Sequence, residues 1–212
     1  MTPGKRALDI GLALILGIAL LPLGVLVGAA MLVRDGRPVF YVSERMKGPR
    51  APFQLWKFRT MTMVARDSGV SGGDKAARLT RTGRFLRRTR LDEIPQLWNV
   101  LRGDMSFVGP RPPLRLYVER FPALYARVLA SRPGITGLAT LYYHRHEERL
   151  LARCQSPEET DAVYGRACVP RKARLDLIYQ KHRSLGMDLR LIAMTAARAF
   201  GRECRPARQR RR

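Results

Sequence analysis

The chain has 212 residues and a formal net charge of +23, from 40 lysines and arginines against 17 acidic residues. Such an excess fits anionic partners (nucleic acid, an anionic membrane surface, phosphorylated substrates) and says nothing about fold. A hydrophobic content of 46% excludes a disordered basic tail protein, and the length suits one domain with a core; Cys154, Cys168 and Cys204, odd in number and without metal-like spacing, read as free thiols in a reducing compartment.

The first element is apolar. From Ile10 to Val33 no residue is charged, and these 24 residues would be about 36 Å long as a straight helix, enough to cross a hydrocarbon core of about 30 Å. The run is too long and its end too poor a cleavage site for a signal peptide, and it lacks the polar stripe of a buried core helix, so it predicts membrane insertion. Pro22 lies at its middle, with Gly17, Gly24 and Gly28 around it, and Lys5, Arg6, Arg34 and Arg37 flank both ends. A spanning helix with a tolerated proline and a helix that bends at Pro22 and leaves on its own side both fit these residues, because cations at both ends give no preferred direction.

The remainder reads as α+β and mostly helical. "PVFYVSERM" (Pro38 to Met46) and "FQLWKFRTM" (Phe53 to Met61) form a small antiparallel hairpin around the turn "KGPRAP"; "DSGVSGGDK" (Asp67 to Lys75) is a Gly/Ser loop. A basic helix covers Leu79 to Arg90, and a second runs from Glu93 to Leu101 with Pro95 in its first turn. "DMSFVGPRPP" is an irregular loop, and helices follow over Leu114–Ala130 and Pro157–Gly165. Arg174–Arg183 and Asp188–Phe200 are amphipathic helices suited to a membrane interface. The expected division is 1–36 membrane helix, 37–200 cytoplasmic or interfacial domain, and 201–212 basic tail.

Asp92 and Glu93 stand together in a stretch crowded with arginine, "RTRLDEIPQLWNVLRGDMSFVGPRPP". Taken alone, Asp92 would cap the following helix and Glu93 would favour its first turn. The surroundings point elsewhere. Lys57, Arg59, Arg87, Arg88, Arg102 and Arg111 are phosphate-binding equipment, and arginine forks suit bidentate phosphate contacts. Carboxylates facing a diphosphate would be repelled unless a divalent cation bridged them, and Mg²⁺ does so with one or two carboxylates plus substrate oxygens. Surrounding cations would keep Asp92 ionised, as a nucleophile must be. The residues therefore point to metal-assisted phosphoryl transfer. The alternative is a membrane-tethered basic module for anionic lipid or nucleic acid, but such a module has no use for an ionised Asp-Glu pair or a rigid "GPRPP" loop, so no nucleic acid is expected.

"WKFRTM", "LDEIPQLWNVLRGDMSFVGPRPP" and "RPGITG" (Arg132 to Gly137), in this order and spacing, resemble the bacterial sugar transferase family, and in particular its small monotopic phosphoglycosyl transferases. The likeness resumes at "LDLIYQKHRSLGMDLRLIAMT" (Leu175 to Thr195). It implies transfer of a phosphosugar from a UDP-sugar to undecaprenyl phosphate with release of UMP, at the cytoplasmic face of the bacterial inner membrane, initiating glycan assembly. On matching positions Asp92 is the nucleophile that forms an aspartyl phosphosugar, Glu93 its partner at Mg²⁺, and Arg87 and Arg111 hold phosphate, with Lys57 and Arg59 lining the same pocket. The family's entry helix is re-entrant and breaks at a Ser-Pro pair; here the pair is Leu21-Pro22. Anionic phospholipid is an expected partner, and a homo-oligomer is left open. After "RPGITG" this chain departs from the family with "LATLYYHRHEERLLARCQSPEETDAVYG", so neither the sugar nor the pathway carries over, and His144 and His146 read as solvated or phosphate-facing rather than metal ligands.

Overall fold

Helix α1 (Pro3–Arg34) opens at Thr2, whose hydroxyl accepts from the Lys5 amide at 3.3 Å. The computed structural model describes residues 1–64 and 69–199. The expected break at Leu21-Pro22 does not appear as an interruption: the helical run continues through both residues. A proline in a helix withdraws one N–H and crowds one carbonyl, here that of Ile18, and leaves the other backbone bonds standing. Asp9, Ala13, Val27 and Met31 are buried against the rest of the protein. On the other side Ile15, Ile18, Leu21, Val25 and Leu26 are each more than 60% exposed, an apolar surface that water would not tolerate at this length.

Both ends of α1 are built into the same domain. Lys5 Nζ pairs with Asp188 Oδ2 at 2.6 Å, and Arg6 donates to the carbonyls of Val100 and Leu101 at 2.6 and 2.7 Å. Asp9 Oδ1 accepts from Ser106 Oγ at 3.1 Å and from the Phe107 amide at 3.2 Å. At the far end Val27 and Met31 pack with Phe58 and Leu86. Lys5 and Arg6, read from the sequence as flanking cations, are thus engaged by protein groups.

Strands β1 (Phe40–Gly48) and β2 (Ala51–Phe58) form the antiparallel hairpin, with Phe40 opposite Phe58 and Tyr41 opposite Lys57. Side chains alternate along β2, so Phe53 and Leu55 enter the core while Gln54 faces solvent. The Gly/Ser loop ends in a 3-10 turn over Gly73–Arg78, held where Thr160 Oγ1 donates to Asp74 Oδ1 at 2.8 Å. The first two residues of that loop, within the stretch 65–68, and the basic tail lie outside the described residues. Helix α2 (Arg81–Thr89) is capped by Thr80, which accepts from the Gly83 amide at 2.9 Å.

The stretch read as an irregular loop contains a strand. After α3 (Gln96–Arg102), β3 (Ser106–Val108) pairs in parallel with β4 (Gly134–Thr136). Three residues are too few to show alternation, so only the partner, distant in sequence, reveals this strand. The pairing explains the glycines of "VGPRP" and "RPGITG". A Cβ on Gly109 would lie 2.2 Å from the Arg132 carbonyl oxygen, and one on Gly137 would lie 2.2 Å from the Gly109 oxygen. Only glycine allows so close a backbone approach.

The other helices close around this centre: α4 (Arg115–Arg120) and α5 (Pro122–Val128), in place of one continuous helix, then α6 (Leu138–Leu151), α7 (Pro157–Val163), a π turn over Tyr164–Cys168, α8 (Val169–His182) and α9 (Leu185–Ala199). Tyr117, Val128, Cys168 and Val169 form one core; Phe53, Val100, Met105 and Tyr179 form another under α1. Cys154 and Cys168 are buried free thiols. Helix α8 was expected at a membrane interface, but Val169, Ala173, Asp176 and Tyr179 are buried. An amphipathic stripe reads alike whether lipid or protein covers it. Helix α9 keeps Leu185 and Leu189 exposed while burying Leu191.

Candidate active site

Helix α2 ends at Arg90, which adopts a left-handed conformation (φ 60°). Such a backbone costs a non-glycine residue about 1–2 kcal/mol and turns the chain sharply. A 3-10 turn over Leu91–Glu93 follows, then Pro95 and α3. The dyad therefore lies in the elbow between two helices. Asp92 does not cap α3, whose N-terminal cap residue is Pro95 without a side-chain bond. The purely structural role for Asp92 is thus not the one the fold uses.

Both carboxylates are buried, Asp92 at 7% and Glu93 at 8% exposure. Glu93 Oε1 accepts from Arg111 NH2 at 2.9 Å, and its Oε2 lies 3.6 Å from Arg90 NH1. Asp92 has no ion pair among the described residues. Burial opposes ionisation of Glu93, but Arg111, Arg90 and Lys57 overcome it and hold its carboxyl well below the usual range. Burial and the neighbouring Glu93 push Asp92 up to about 6, against the pull of Lys57, Arg111 and Arg87. The cations were expected to keep Asp92 ionised; desolvation works against them, leaving it ionised at neutral pH but titrating just below.

These groups open into a cleft of about 330 Å³. Lys57, from β2, lines it, and burial together with Arg111 and Arg45 lowers its ammonium to about 7. Arg87 lines it too, with Nε donating to Thr60 Oγ1 at 3.0 Å. Arg59 borders the cleft, yet its NH2 donates to the carbonyls of Asp35 and Gly36 at 2.7 and 2.9 Å, tying the exit of α1 to the hairpin. Arg102 turns away to Asp104, and neither it nor Arg88 lines the cleft.

The opposite wall was not legible in the sequence. Helix α6, which the sequence reading left without an element, brings His144 and Glu147 to the cleft; α8 brings Lys172 and Asp176. His144 is held at about 4 by burial and by Arg90 and Arg111, so it faces the cleft neutral. His146 instead packs on Tyr143, with ring centroids 5.2 Å apart. Lys172 Nζ bonds Glu147 Oε1 at 2.9 Å and Tyr164 OH at 3.2 Å. Burial pushes Asp176 up to about 7. The i, i+3, i+4 spacing of Val169, Lys172, Ala173 and Asp176 was the available signal for a shared face.

A buried Asp-Glu elbow, tied by Glu93 to the arginine of "GPRP", joins motifs that the chain separates by 18 residues. The family model for bacterial sugar transferases matches residues 2–202. The chain belongs to the bacterial sugar transferase family. It is 32% identical over 200 residues to UDP-glucose:undecaprenyl-phosphate glucose-1-phosphate transferase of Klebsiella pneumoniae, a match covering 92% of this chain and 40% of that protein. A putative undecaprenyl-phosphate N-acetylgalactosaminyl 1-phosphate transferase of Bacillus subtilis is 44% identical over 119 residues, covering 55% of this chain and 66% of the relative. An uncharacterized sugar transferase of the same organism is 35% identical over 174 residues, covering 81% and 75%. The match to the K. pneumoniae protein thus spans less than half of that relative's length.

Proposed function

We propose that this sugar transferase family member moves a phosphosugar from a UDP-sugar to undecaprenyl phosphate and releases UMP. The observation that carries the reading is the division of labour in the dyad. Arg111 and Arg90 neutralise Glu93, while Asp92 has no ion pair and faces the cleft. An oxygen of ionised Asp92 attacks the β-phosphorus; the bond from that phosphorus to the bridging oxygen breaks, and UMP leaves with the electron pair. An oxygen of undecaprenyl phosphate then attacks the same phosphorus, and Asp92 departs as carboxylate. Arg87, Arg111 and Lys57 bear on the transferring phosphoryl charge, which is the larger part of catalysis in such reactions.

The residues fit Mg²⁺. Asp92 is unpaired, and Glu93 Oε2 has Arg90 no nearer than 3.6 Å, so each carboxylate can offer an oxygen beside incoming phosphate. Asp92 and Glu93 would hold the ion, which would offset the repulsion between dyad and diphosphate.

We further read α1 as re-entrant, with the catalytic domain on the cytoplasmic face. The support is that Asp9 and Met31, near opposite ends of the apolar run, are both buried against one domain, whereas a spanning helix would part its ends. Phe85 and Trp98, exposed on α2 and α3, suit the lipid headgroup region. The experiment is UMP release from a panel of UDP-sugars, with undecaprenyl phosphate in vesicles and the full chain inserted. Release that depends on both substrates is expected; no release with any donor would overturn the reading.

A further inference from the structure

Across the cleft from the dyad, helix α6 presents a polar edge. Thr140, His144 and Glu148 all line the cleft and are spaced four residues apart, so they share one face of the helix. His144 Nε2 lies 3.3 Å from Glu148 Oε1, and the two side chains are 42% and 63% accessible. A ligand in the cleft can therefore reach both. Neither serves the core, which α6 enters through Ala139, Leu141, Tyr143 and Leu151.

Position narrows what that ligand is. Arg90, Arg111 and Glu93 all bear on His144, which puts the imidazole within electrostatic reach of the dyad. Leu91 and Ile94, on either side of the dyad, pack with Val27 and Met31 of α1. The dyad thus has the membrane helix behind it and α6 in front. In a UDP-sugar whose β-phosphorus sits at Asp92, the sugar is joined to that phosphorus through a single oxygen. The uracil is farther off, beyond the α-phosphate and the ribose. The polyprenyl chain of the acceptor belongs on the side of α1. The group left for the α6 edge is the sugar.

The chemistry agrees. A phosphate needs cations, and the Glu148 carboxylate would repel it. Sugar hydroxyls both donate and accept. A carboxylate accepts from them, a threonine hydroxyl does either, and a neutral imidazole, which His144 is at neutral pH, carries one donor and one acceptor. We propose that Thr140, His144 and Glu148 form the donor-sugar subsite and set which UDP-sugar is used. This rests on the transferase reading, which places the β-phosphorus at Asp92.

The test compares wild type, His144→Ala and Glu148→Gln, all full length in vesicles, with UDP-glucose, UDP-galactose and UDP-N-acetylglucosamine. Both substitutions fall on accessible side chains outside the core, so the fold should stand. In each variant the ratio of kcat/KM between the best and worst donors of wild type should change by roughly tenfold, the worth of one hydrogen bond to a polar or charged group. Titration calorimetry should show the best UDP-sugar binding more weakly to the variants, while UDP, which lacks the sugar, binds as it does to wild type. An equal loss on every donor, unchanged donor ratios, or a UDP affinity that weakens along with that of the UDP-sugar overturns the assignment. Failure of wild type to release UMP from any donor strikes the transferase reading instead. The titration then decides alone: affinities for UDP and UDP-sugar that move together, or do not move, overturn the sugar subsite.

Discussion

Replacing Arg111 with methionine removes one partner of a buried pair and leaves the other in place. Arg111 NH2 bonds Glu93 Oε1 at 2.9 Å, and about a third of its side chain remains exposed toward the cleft. A hydrogen bond to a charged group is worth about 1.5–3 kcal/mol, or roughly 10- to 150-fold in an equilibrium or rate ratio. Arg90, already 3.6 Å from Glu93, takes up part of the lost compensation, so folding should survive where a pair without a second cation would not. Two effects should follow in the UMP-release assay. First, kcat/KM for the UDP-sugar should fall by roughly 10- to 150-fold, with Arg111→Lys falling less because it keeps the charge and loses only the fork. Second, the pH profile should move. On the proposed route Asp92 must be ionised to attack, and its carboxyl lies at about 6, held down in part by Arg111. Wild-type activity should therefore decline as pH falls through about 6, and Arg111→Met should shift that decline to higher pH, since one cation no longer favours the carboxylate. A variant with unchanged kcat/KM and an unmoved acidic limb would refute the argument that Arg111 serves the phosphate and the dyad together.

Asp92→Asn should abolish turnover, because an amide cannot form the acyl phosphate; substantial UMP release by a folded Asp92→Asn protein would sink the covalent route. Chelation with EDTA should silence wild type and added Mg²⁺ should restore it, while Glu93→Gln should need more Mg²⁺ for its residual rate; indifference of both to the metal would remove it from the site. For topology, cysteines placed at Thr2 and Gly36 in cells should both resist a membrane-impermeant thiol reagent and both react after lysis. Labelling of the Thr2 position from outside intact cells would show that α1 spans the membrane.

Much of this protein was legible in the chain because the informative residues are close together in sequence. The apolar run, the hairpin around "KGPRAP", the basic helix before the dyad and the Asp-Glu pair among arginines are local patterns, and each stands as an element or a turn where the residues indicated. Proline and glycine mark the hairpin turn, and threonine hydroxyls open α1 and α2. What the sequence could not decide was which distant side chain each charge would meet. Arg59 and Arg111 look alike as cations near a phosphate site, yet Arg59 NH2 goes to the carbonyls after α1 and Arg111 to Glu93. Lys5 and Arg6 look like headgroup anchors, yet they grip Asp188 and the end of α3. The β3–β4 pairing, the α6–α8 wall and the buried Asp176 likewise come from contacts between segments far apart in the chain. Charge and periodicity are properties of a residue and its near neighbours. Desolvation and pairing belong to the packed surface around it, and here they leave Asp92 unpaired, hold Glu93 ionised and keep Asp176 without a partner.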